Sequence, residues 1–238
     1  MKKLFVLLLL VLAVIGAKQI IAGRSPLAAL TGPVVMINPY APGSPLHAQQ
    51  QYLVDRFNGE PALRERFAGI ATSKGLYAEV QTALSRGARS LGQQRLIGML
   101  KAMSAVTPRL SPQSCAKLLL PRDDFDEELG EDFRHALESL PPAQHKRFTD
   151  FYLDALLADV NNLPIIAVTQ ESREHALYEL SANYRGEPGQ RIARILQAPT
   201  AASEEDRCWA ANTLFMAMSQ LAPSNAVTMA RIMWAPKG

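Results

Sequence analysis

Two windows of this chain place a glutamate and a histidine four residues apart: EDFRHALESL at 131–140 and ESREHALYEL at 171–180. Residues at that spacing share one face of a helix. Glu131 with His135, and Glu171 with His175, therefore each offer a carboxylate and an imidazole to a common ligand. Two such helices set face to face would supply a four-donor metal site. Di-iron bundles do this with Glu-x-x-His on two helices, a spacing one residue shorter than the one here.

Which way the donors point weighs against such a site. At about 100° per residue, Leu129, Phe133, Leu137 and Leu140 form one apolar stripe, and Glu131 and His135 lie roughly 160° from its centre. In the second window Ala176, Leu177, Leu180 and Tyr184 form the stripe, and Glu171 and His175 again fall on the far side. Solvated Glu–His pairs on amphipathic helices are the expectation, with a metal held by these four side chains as the competing case. No cofactor is expected. Windows displaced by a further forty residues, at 91–100 and 211–220, do not keep the pattern, so the chain is not a repeat array.

Other chemistry is sparse. Ser114-Cys-Ala-Lys117 has the Ser-x-x-Lys spacing in which a lysine activates a serine one helical turn before it. The Lys-Thr-Gly and Ser-Asp-Asn elements that accompany it in penicillin-recognising enzymes are missing. The acidic run DDFDEELGED alternates carboxylates at Asp124, Asp126 and Glu128. The glycine and bidentate glutamate of a calcium loop are out of register, with Gly130 seventh and His135 twelfth. Gly-x-Ser-x-Gly, His-Glu-x-x-His and a phosphate-cradling glycine loop are absent.

The elements that must position any site read as helix after helix. Pro61, Pro112, Pro142 and Pro188 sit at helix starts, while Thr169 and Ser203 are N-cap residues. Asp123 or Asp124 is the expected cap of a helix running to Leu140. Gly75 and Gly92 are expected breaks, and the last helix is expected near Asn225 after a stop at Pro223. No segment alternates with period two, so the fold class is all-α: a single multi-helix orthogonal or bundle-like domain over 46–238.

Two segments precede that domain. MKKLFVLLLLVLAVIGAKQIIAG opens with two lysines and an apolar run, the pattern of an export signal. Residues 1–22 are either a cleaved signal peptide or a transmembrane anchor. Residues 4–22 match the about 20 apolar residues that a bilayer core requires. Lys2 and Lys3 favour a cytoplasmic start. Residues 23–45 carry five prolines and three glycines and form a semi-extended linker, whose inner PVVMINPY is apolar enough to pack on the domain or form one short strand. The expected location is the bacterial inner membrane facing the periplasm, or the periplasm or exterior if the signal is removed.

Export bears on Cys115 and Cys208, the only cysteines. An oxidising compartment permits their pairing, and two buried free thiols are the alternative. Charge is segregated. Residues 46–122 hold eleven Lys/Arg against four Asp/Glu, and residues 123–160 hold three against eleven. Complementary helix faces within the domain explain this, and a basic surface built from Arg64, Arg66, Arg86, Arg89 and Arg95 is the functional alternative. Met216, Met218, Met229 and Met233 cluster with Trp209 and Trp234, either as core or as a pliable binding groove.

The function expected from all this is a membrane-anchored, exported protein-binding module (scaffold, chaperone-like or inhibitor) whose partner is an envelope protein. One alternative is a periplasmic hydrolase or metal enzyme using the Glu/His pairs, and another is a membrane-surface protein. No feature suggests nucleic acid.

Overall fold

The computed structural model describes residues 35–38, 40–43, 46–68, 70, 73–120 and 126–234. The expected signal or anchor at 1–22 lies outside these residues, as does the linker up to residue 34. Among the described residues there are eleven α-helices, two short 3-10 turns and no β-strand, so the body is all-α. No described helix is long and apolar enough to cross a membrane.

In chain order the helices are α1 (His47–Asn58), α2 (Pro61–Arg66), α3 (Ser73–Ala88), α4 (Gln93–Val106), α5 (Pro112–Lys117) and α6 (Glu127–Glu138). They continue with α7 (Pro142–Val160), α8 (Gln170–Ala182), α9 (Glu187–Gln197), α10 (Glu204–Gln220) and α11 (Pro223–Met233). Ser111, Asp126, Thr169 and Ser203 each accept a backbone N–H of the first turn of their helix. Three boundaries differ from those read in the sequence. Helix α3 starts at Ser73 and runs through Gly75, because one glycine costs a helix only about 1 kcal/mol. The cap of α6 is Asp126, with Asp123 and Asp124 outside the described residues. Helix α10 ends at Gln220, short of Pro223, and α11 starts at Pro223 itself rather than near Asn225, a position suited to its missing N–H.

The middle of the body is α7. Phe148, Phe151, Tyr152, Leu153, Ala155, Leu156 and Ala158 are all buried, so apolar residues surround this helix instead of lining one stripe. It is packed by α1, α2, α3 and α4, and α4 turns its other side to α10 and α11. Helix α5 lies on α10, α8 on α11, and α9 on α10. The buried apolar residues form one contiguous core. Trp234, 1% exposed, closes it by packing on Phe151 with ring centres 5.2 Å apart. Its carbonyl accepts the Ser85 hydroxyl at 3.0 Å.

That core reaches back into the proline-rich segment. Met36 is buried, and the Asn58 side chain takes both its backbone groups, donating to its carbonyl and accepting its N–H at 2.8 Å each. One amide side chain thus does for Met36 what a neighbouring strand would do. Asn38 holds the next step through the His47 carbonyl and Gln51.

Candidate functional site

Three of the four candidate metal donors, Glu131, His135 and His175, are held by other partners. Glu131 accepts the Arg134 guanidinium at 2.9 Å, and His135 Nδ1 lies 3.4 Å from Glu138. Arg134 also contacts Glu138 and donates to the Tyr40 hydroxyl at 3.1 Å, so this cluster fastens the proline-rich segment before α1 onto α6. Burial pushes the Glu138 carboxyl up to about 7. On α8, His175 Nδ1 lies 3.1 Å from Asn225 of α11. Glu179 accepts the Ala222 N–H at 2.9 Å and also Asn225, and these bonds hold its carboxyl below its ordinary range. These contacts clamp α8 onto the amino terminus of α11, where a carboxylate complements the helix dipole. Glu171 is exposed in the first turn of α8. Among the described residues no three His, Cys, Asp or Glu side chains gather as a metal site would require.

Ser114 is buried, and the Lys117 ammonium lies against Asp126 at 3.0 Å and Glu128 at 2.8 Å. Cys115 and Cys208 form a disulfide with sulfurs 2.02 Å apart, tying α5 to α10. Asn212 Nδ2 lies 3.5 Å from both sulfurs.

The segregated charge meets across α7. Arg95 bonds Asp150 at 2.9 Å and Asp154 at 2.6 Å, and Arg56 bonds Asp154 at 3.2 Å. Arg86 lies 3.2 Å from Asp159, and Arg66 bonds Glu79 at 2.7 Å. Tyr52 donates to Asp150 at 2.6 Å, and Lys146 closes the group at 2.8 Å. Burial would raise the Asp150 carboxyl, but Lys146, Tyr52 and Arg95 together bring it below its ordinary value. At Asp159 burial outweighs Arg86 and Arg66, and the carboxyl is raised. Three of the five basic candidates are therefore turned to carboxylates. Arg64 has a buried Nε without a partner, and no acidic side chain among the described residues pairs with Arg89.

A further concave feature lies apart from these charged clusters. Between α8 and α9 runs an open groove of about 1240 Å³, with Leu177, Tyr178, Tyr184, Ile192 and Leu196 on its walls and Leu214 of α10 at its floor. Glu174, Ser181, Gln197 and Thr200 supply its polar rim. Tyr178 is 70% exposed within this apolar setting.

The groove has a rigid frame. Helix α9 is fixed to α10 by Arg191, which bonds Asp206 at 2.9 Å and lies 4.2 Å from the Trp209 ring centre. The Tyr184 hydroxyl donates to the Thr213 carbonyl at 2.6 Å. The α8–α9 turn depends on Gly186 at φ +74°, a conformation that costs glycine little. A β-carbon at Gly189 would stand 2.1 Å from the Tyr184 carbonyl oxygen, so glycine is needed for that approach as well. No motif marks the groove in the sequence. Its only local signal is that Leu177, Tyr178, Ala193 and Leu196 extend the apolar faces of α8 and α9 beyond what burying either helix uses. Of the four clustered methionines, Met218, Met229 and Met233 are core and Met216 alone faces outward. In comparison with known proteins, the chain matches no family model, no curated protein and no solved structure.

Proposed function

We propose that this chain is a tethered, exported helical module that binds another protein of the cell envelope, taking an apolar helical segment of that partner into the α8–α9 groove. The observation that carries this is the exposed Tyr178 in an open, apolar groove whose walls are held by Glu179, Arg191 and Tyr184. A preformed groove of this kind suits helix-in-groove recognition, in which side chains spaced three and four apart enter an apolar slot. An aromatic side chain with a polar tip is the usual anchor at such surfaces. The apolar segment at 4–22 is the reason to place the body at a membrane, and Lys2 and Lys3 are the reason to place it outside the cytoplasm.

A photo-activated cross-linker in place of Tyr178, in the full-length chain in cells, tests this. The expected product joins residue 178 to one helical segment of one protein, and Leu196→Asp abolishes it. Products spread over many proteins, or unchanged by Leu196→Asp, would remove the proposal. The metal-enzyme alternative stands on the Glu/His pairs alone. Stoichiometric metal in the purified chain, lost on His135→Ala or His175→Ala, would favour it.

A further inference from the structure

A second apolar surface lies at one end of the body. After α7 the chain turns through Asn162, whose φ of +51° belongs to a helix-ending motif: Leu163 N–H bonds the Ala158 carbonyl and Asn162 N–H that of Asp159. It then runs from Leu163 to Ala167 without regular structure and with these residues exposed. Leu163, Ile165 and Ile166 are between 42% and 49% exposed. The segment is not loose, since Ser90 donates to the Leu163 carbonyl at 3.1 Å and Ile166 N–H donates to the Arg89 carbonyl at 3.2 Å. Three aliphatic side chains are thus pinned in water beside Arg89, which pairs with no acidic side chain among the described residues, and Arg86, whose charge Asp159 partly offsets.

The chain enters the body at the same end. Helices α1 and α7 run side by side in one direction, Tyr52 meeting Asp150 and Arg56 meeting Asp154. Asn58, the last residue of α1, therefore lies within about one turn of the end of α7. Asn58 is the residue that holds Met36, and on either side of Met36 the side chains of Val35 and Ile37 are also exposed. Residues 23–34, the stretch between the apolar segment and Val35, would span at most about 43 Å if fully extended.

We infer that this end of the body docks on an anionic lipid bilayer, with the aliphatic side chains of 163–166 entering the interface and Arg89 and Arg86 meeting phosphates. Burying aliphatic side chains in the headgroup boundary and placing arginines against anionic lipid are complementary contributions to such binding. The short tether keeps the patch within reach of the surface. Docking through this end would also fix how the groove is presented to a partner.

The inference rests on the tether proposed above, and one experiment separates the two. The full-length chain carrying Ile165→Cys, its native disulfide intact, is labelled at that position with an environment-sensitive fluorophore. It is then reconstituted into vesicles of phosphatidylcholine alone or with phosphatidylglycerol, each containing nitroxide-labelled lipid. The label is expected to be quenched by the lipid nitroxide and more strongly in the anionic vesicles. Arg89→Ala is expected to lower the ratio of docked to undocked body about five-fold, the equivalent of one arginine at an anionic surface. Ile37→Cys gives a second reporter at the same end. A chain that floats with the vesicles but shows no quenching, or equal quenching in both lipids, overturns the docking and leaves the tether standing. A chain recovered free of vesicles overturns both.

Discussion

Gly87 of α3 faces the backbone of α7 so closely that a β-carbon there would stand 1.7 Å from the Ala155 carbonyl oxygen. The crossing of these helices, the heart of the amino-terminal half, depends on the absence of a side chain at this one position. Gly87→Ala must push the two backbones apart, because neither the carbonyl nor the helix carrying it can rotate away. The expected loss is about 2–3 kcal/mol, the upper part of the usual range for overpacking. Urea unfolding should show it as a lower midpoint with an unchanged slope.

The disulfide closes a loop spanning 93 residues between α5 and α10. In the chain-entropy view, such a loop restricts the unfolded ensemble by about 4–5 kcal/mol. Cys115→Ala with Cys208→Ala should therefore lower the melting temperature markedly. A reductant should lower it for the wild type and leave the double variant unmoved. Mass analysis after alkylation checks the pairing itself.

Glu138 should make stability depend on pH. Its carboxyl, near 4.5 when unfolded, is raised by burial to about 7 in the body. Between those values the folded state holds more protons than the unfolded one, so stability falls as pH rises through that window. Discounted for partial exposure and for Arg134 beside it, the fall is about 1 kcal/mol. Chemical unfolding from pH 5 to 8 should show that decline in the wild type and a shallower one in Glu138→Gln.

Asp150 should act in the opposite sense. Its carboxyl is lowered despite burial by Lys146, Tyr52 and Arg95, so its contribution is complete above its unfolded value and is lost as pH falls through the folded one. Asp150→Asn leaves Lys146 and Arg95 without this carboxylate and should cost about 1–2 kcal/mol at neutral pH. The penalty relative to wild type should shrink in acid.

Much of the fold could be read from local pattern. Prolines at helix starts, Thr169 and Ser203 as caps, and the stripes Leu129–Phe133–Leu137 and Ala176–Leu180 act within one or two turns, and the sequence displays them directly. The outward placement of His135 follows from the same geometry, since its side chain is 66% exposed. What those stripes could not convey is pairing between distant elements. Arg95 and Asp150 are 55 residues apart, and only the crossing of α4 and α7 brings them together. The groove is of this second kind. Tyr178 and Leu196 are ordinary apolar residues on their own helices, and they become a surface only because Gly186 and Arg191 set α9 beside α8 without closing the gap.

Binding of a partner helix in that groove is the centre of the proposed function. The direct measurement is the affinity of the purified full-length chain for the helical segment that cross-linking at Tyr178 identifies, compared with that of Leu196→Asp. Removing one leucine's worth of apolar contact and adding a charge should weaken binding by about ten- to a hundred-fold, with the melting temperature essentially unchanged because Leu196 is only partly buried. An affinity that Leu196→Asp leaves unaltered would contradict the account.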